Sequence, residues 1–183
     1  MLDRSIHPNT KILLQAWRRM SDDPSAHAAV GPRASEHADL TSNLFVLQPM
    51  DDGAWVFRTA GEGLSKRLGR DLSNHDFLHL WTGPDRAMMK GLMGAIRLDG
   101  SPGVIRGNGE TLTGQRAEIE ITLMPLDHAP GEKKALRFLG LYQTLGDASA
   151  LKGRPIWRHR ISMLVPPTQR NDEPKLKLVA SNP

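Results

Sequence analysis

Four short stretches of this sequence carry residues able to do chemistry. In Gly61-Glu62-Gly63-Leu64-Ser65-Lys66 the glycines could let backbone amides approach a phosphate. A dinucleotide fingerprint needs a third glycine between a strand and a long helix, and here a carboxylate stands where the phosphates would sit. The P-loop spacing is not met either, so the glycines read as a strand-to-helix bend, with Gly69 ending a short helix as a left-handed cap. His75 and His79 are four apart and would share a face of one helical turn, where they could meet a metal or a haem iron. No third ligand lies near them, and Phe77, Leu78, Leu80 and Trp81 are interleaved. They therefore read as the edge of a core-facing helix, and no metal is expected. Glu118 and Glu120 are the paired carboxylates of a regular element, but on a strand both point to one solvated face, whereas general acid–base work needs two different environments. Arg154, Arg158, His159 and Arg160 form a cluster that could grip phosphates from a strand edge. No nucleophile, base and orienting group can be drawn together, so an enzyme is not expected.

The elements that must position these residues follow from composition and pattern. The 183 residues, 39% hydrophobic and 24% charged, suit one globular domain with short extensions. No apolar run is long enough to span a membrane and MLDRSIHPNTK has no apolar signal segment, so a cytoplasmic protein is expected. The absence of cysteine removes disulfides, thiolate nucleophiles and cysteine zinc sites. Residues 1–150 hold 17 Lys and Arg against 18 Asp and Glu, while residues 151–183 hold 7 against 2, so a neutral body carries a basic tail. Such a tail can be drawn to acidic partners, but the body offers no basic patch interleaved with aromatics, and nucleic acid is not an expected partner.

Asn9 or Thr10 can cap an amphipathic helix through Met20, with Ile12, Leu13, Ala16, Trp17 and Met20 on one face. Residues 21–39 read as a surface connector. LFVLQPM, the turn Asp51-Asp52-Gly53 and AWVFRTA read as an antiparallel hairpin. Gly61 to Trp81 and Pro84 to Leu98 read as helical, the second with a stripe of Met88, Met89, Leu92, Met93 and Ile96. VIRGNGE, QRAEIEITLMPL and ALRFLGLYQTL are three further strands, with a turn at residues 128–134. In the middle one Ala117, Ile119, Ile121 and Leu123 face a core, and Arg116, Glu118, Glu120 and Thr122 face water. Residues 154–165, RPIWRHRISMLV, suit one more strand or a short helix, and the remainder reads as unstructured. The expected division is residues 1–40 as helix and connector, 41–150 as the domain, and 151–183 as a basic, partly disordered extension. The fold class is α+β, a five-stranded antiparallel sheet with helices on one face.

Residues 10–145 resemble the small stand-alone PAS-domain proteins of alphaproteobacteria. The likeness lies in LLQAWRRM, Pro32-Arg33-Ala34, the hairpin LFVLQPMDDGAWVFRTAG, the segment LSKRLGRDLSNHDFLHLW, AEIEITLMPL and RFLGLYQ, and is sharpest at Gly69-Arg70-Asp71-Leu72 followed by Phe77-Leu78-His79-Leu80-Trp81. Family members usually show Gly-Thr where this chain has Gly61-Glu62. The resemblance implies the PAS fold and a sensing or docking role in signal transduction, with no single assigned ligand for the family. Phe57, Leu64, Phe77, Trp81, Met88, Leu92, Ile119, Ile121 and Phe138 are the residues expected around a pocket for a small apolar ligand, or in a collapsed core without one. The cysteine that forms the adduct in flavin-binding light sensors of this kind is missing. The leading helix with Trp17 is expected to pack across the sheet or against a second copy, giving a homodimer, and a signalling protein is the expected partner. The alternative is a nucleotide- or nucleic-acid-responsive protein using the basic C-terminal segment.

Overall fold

The computed structural model describes residues 6–22, 38–126 and 137–165. The expected connector, the turn at 128–134 and the tail from Pro166 fall wholly or largely outside the described residues. The elements in chain order are α1 (Pro8–Asp22), α2 (Ala38–Ser42), β1 (Leu44–Pro49), β2 (Trp55–Ala60), α3 (Glu62–Leu68), a 3₁₀ turn (Phe77–Leu80), α4 (Gly83–Asp99), β3 (Gly103–Glu110), β4 (Arg116–Leu126), β5 (Arg137–Leu145), a second 3₁₀ turn (Ala148–Leu151) and β6 (Arg158–Val165).

The strands form one antiparallel sheet in the order β2-β1-β5-β4-β3-β6. The five expected strands are all present, and RHRISMLV adds a sixth along the outer edge of β3. The β1–β2 hairpin turns where Asp-Gly chemistry places it: Gly53 has φ 83°, its N–H donates to Met50 O (3.0 Å), and Asp52 Oδ1 accepts from Ala54 N–H (2.9 Å). Pro84 stands in the first turn of α4, and the left-handed Gly100 closes that helix.

Between α3 and the 3₁₀ turn the chain is not helical, contrary to the reading of Gly61 to Trp81. Gly69, at φ 66°, ends α3. Residues 73–76 are then stitched to the free edge of β2, Asn74 N–H donating to Phe57 O (2.9 Å) and Phe57 N–H to His75 O (3.0 Å). The cap of α1 also differs. His7 Nδ1 accepts from Asn9 N–H (3.2 Å) and His7 O from Lys11 N–H (3.1 Å), while Thr10 is buried and faces Thr122, the hydroxyls 3.4 Å apart.

The inner face of the sheet meets α3, the 3₁₀ turn and α4 in one apolar core containing Ala117, Ile119, Ile121 and Leu123, as the alternation of β4 requires. The outer face is not simply wet. α1 lies on it: Leu13 is buried with Leu40, Met124 and Leu141, and Ile12, Leu14 and Trp17 pack against them. Trp17 Nε1 donates to Pro125 O (3.0 Å). Burying one leucine in this way contributes about 1.5–3 kcal/mol. The apolar stripe expected to meet a second copy is thus spent on the chain's own sheet, one of the two placements open to it.

Candidate functional site

Eight of the nine residues expected around a pocket come together. Phe57, Leu64, Phe77, Trp81, Leu92, Ile119, Ile121 and Phe138 are all buried in the inner core. Met88 is not with them. It is 45% exposed, at the edge of the stripe, while Met89, Leu92, Met93 and Ile96 are buried as their spacing requires and Asp85 continues the buried row toward the start of α4. The space between sheet and helices is taken up by rings. Phe45 lies 5.4 Å from Phe57 and 5.6 Å from Phe77, and Phe77 lies 4.8 Å from Trp81, edge to face.

The aromatic row continues to a polar pair, His159 and Tyr142, of which the sequence placed His159 at the surface. His159, expected on a phosphate-gripping surface, is 1% exposed. Its ring sits 5.6 Å from that of Trp81, and Nε2 is 3.0 Å from the Tyr142 hydroxyl. Burial pushes the imidazole down to about 4 and pushes the Tyr142 phenol up, so both stay neutral. The tyrosine hydroxyl then donates to Nε2 or accepts from it, and the backbone of Leu80 lies close enough to the ring to offset part of the effect of burial. The alternation of Arg158, His159 and Arg160 on a strand was the available signal: outward arginines place the histidine between them inward.

The other members of that cluster stay at the surface. Arg160 Nε lies 3.3 Å from Asp85 Oδ2, an oxygen that also accepts from Ile161 N–H (3.4 Å), so the first turn of α4 is tied to β6. Arg154 donates to Thr113 Oγ1. Arg158 and Arg160 line a cleft of about 340 Å³ with Asn108, Glu110 and Arg116, and the register explains why: Arg158, Glu110 and Arg116 stand side by side across three strands.

The carboxylate pair separates. Glu118 is exposed, but Glu120 is completely buried where α1 begins. Arg106 donates to Glu120 Oε2 through Nε (3.0 Å) and Nη2 (2.8 Å), and His7 N–H donates to Oε1 (3.1 Å). This is a bound structural charge rather than a free base. The Gly61 region holds no phosphate cradle: a Cβ on Gly61 would lie 2.2 Å from Ser42 O and one on Gly63 2.8 Å from Ser42 Oγ, so both glycines serve the close approach of α3 to α2.

His75 and His79 share no helical turn but line one surface cleft. Among the described residues no group of three or more His, Cys, Asp or Glu is disposed to hold a metal, and no helix is long and apolar enough to cross a membrane.

No curated protein matches the chain. Among solved structures, a light-oxygen-voltage domain studied with a flavin analogue is similar at 18% identity over 66% of this chain and 87% of its own, with a TM-score of 0.45. The LOV protein of Rhodobacter sphaeroides gives 14%, 59%, 61% and 0.44, and the PAS domain of an HTR-like protein from Haloarcula marismortui 16%, 72%, 98% and 0.43. The sequence model of the PAS domain matches residues 6–143. With its α+β architecture of an antiparallel sheet flanked by helices, the chain belongs to the PAS domain family, whose members are generally sensors of signal transduction rather than catalysts.

Proposed function

We propose that this PAS domain is a cytoplasmic docking module that meets a protein partner through the part of the outer sheet face which α1 leaves open. The observation that carries this reading is the exposed charged row across β4, β3 and β6. Glu118, Arg116, Arg158 and Arg160 stand beside Asn108 and Glu110, with clefts of about 220 and 340 Å³ between them. Mixed charge on a rigid sheet selects a partner by complementarity. A homodimer through α1 would have to displace the packing of Leu13 and Trp17, which favours a different protein as partner. The likeness to small alphaproteobacterial proteins of this fold is in keeping with a regulator of that kind. A photo-crosslinking residue placed at Glu118 in living cells should give a discrete product, and the same residue at Met88 none. No product at Glu118, or equal products at both, would refute the reading.

A second reading, a small ligand sensed in the interior, is favoured by the buried polar pair of His159 and Tyr142 beside Trp81. Native mass spectrometry and an absorbance spectrum of fresh protein decide it; a mass equal to that of the sequence, with no chromophore, removes it. The nucleotide alternative keeps Arg154, Arg158 and Arg160 at the surface but loses His159 to the core.

A further inference from the structure

The turn at Asp52–Ala54, the segment Asn74–His79 and the first half of α4 border an open cleft of about 640 Å³, distinct from both surfaces above. Its floor is apolar: Ala54, Val56 and Leu78, the last two 7% and 4% exposed. Its rim is polar and carries His75, His79, Arg86 and Lys90. Arg86 and Lys90 are four apart on α4 and therefore share a face, an arrangement of like charges that costs a few tenths of a kcal/mol in an isolated helix.

The wall opposite is held in place. Residues 73–76 are bonded to β2, and Asn74 sits at φ 61°, a left-handed conformation uncommon for a residue other than glycine. Asp76 Oδ1 accepts from Leu78 N–H (2.9 Å) and caps the 3₁₀ turn, while Oδ2 lies 3.4 Å from Arg86 Nη2 and 3.6 Å from His79 Nε2. Asp52 is likewise engaged, accepting from Ala54 N–H. Both rim carboxylates thus have local donors, and Lys90 has no ion pair among the described residues.

We propose that this cleft binds a small organic monocarboxylate: the carboxylate lies between Arg86 and Lys90 and a short apolar body rests on Val56 and Leu78. A preformed wall lowers the ordering cost of binding, and the volume falls within the range of small-molecule sites. A single negative charge fits better than a phosphate dianion, because Asp52 and Asp76 remain on the rim and repel further charge.

The test uses the full chain with hexanoate and, separately, inorganic phosphate, followed by amide NMR. Hexanoate should shift the amides of Asn74 to Leu78 and of Lys90 saturably, with phosphate weaker. Lys90→Met and Arg86→Gln should each weaken hexanoate about tenfold, the scale of one lost charge-assisted contact, whereas Arg116→Gln on the far face should leave it unchanged. Absence of these shifts, equal affinity in both cleft variants and wild type, or phosphate binding more tightly than hexanoate would each overturn the proposal. Crosslinking at Glu118 reads a different face, so either proposal can fail alone.

Discussion

His159 is where a single residue changes the behaviour of the fold. Its imidazole is held neutral down to about 4 in the folded chain against 6.5 when unfolded. Between those values the unfolded chain binds the extra proton and the folded one does not, so the contribution is complete above pH 6.5 and is lost as pH falls toward 4. The whole window corresponds to about 3 kcal/mol. Denaturant unfolding across that pH range should show wild-type stability falling more steeply than that of His159→Gln, which cannot titrate; equal slopes would mean that the folded imidazole takes up its proton as readily as the unfolded one. The inward place of His159 was legible from strand alternation, since Arg158 and Arg160 point outward. The burial of Glu120 was not: its partners Arg106 and His7 lie on another strand and at the start of a helix, and no local pattern on β4 reports them.

Elements were legible where their chemistry is local. The hairpin follows from Asp51-Asp52-Gly53, and the inner face of β4 from its period-two pattern. They were less legible where distant chain decides. Residues 73–76 lose helicity to hydrogen bonds with β2, and Met88 is left at the exposed edge of α4 because the width of the buried stripe is set by what α4 packs on. β6 is the clearest instance, lying beyond the residues matched to the family yet inside the cooperative structure. Ile156, just before it, is 2% exposed and fills the space over Gly109, where an added Cβ would lie 2.6 Å from its Cδ1. A chain ended at Gly153 loses Ile156, His159 and a full ladder on β3. Its thermal midpoint should fall by more than about 10 °C, from a cavity term of about 2–5 kcal/mol and the lost packing beside it. An unchanged melt would show β6 to be an appendage.

At the scale of the molecule, helices cover the inner face of the sheet and α1 covers the apolar part of the outer one. The apolar stripe of α1 is therefore already buried on its own sheet, and the protein should be monomeric at micromolar concentration by native mass spectrometry. A dimer that persists after Trp17→Ala would place the contact elsewhere. The order of the sheet carries a further consequence, for synthesis. Leu44 of β1 pairs with Leu141 of β5, and β3 waits for β6. Residues that leave the ribosome early thus cannot complete their hydrogen bonds until much later ones emerge. Such long-range pairing is slow and leaves strand edges open meanwhile, so the nascent chain is a client for chaperones in a way that the finished molecule, with these strands paired, is not.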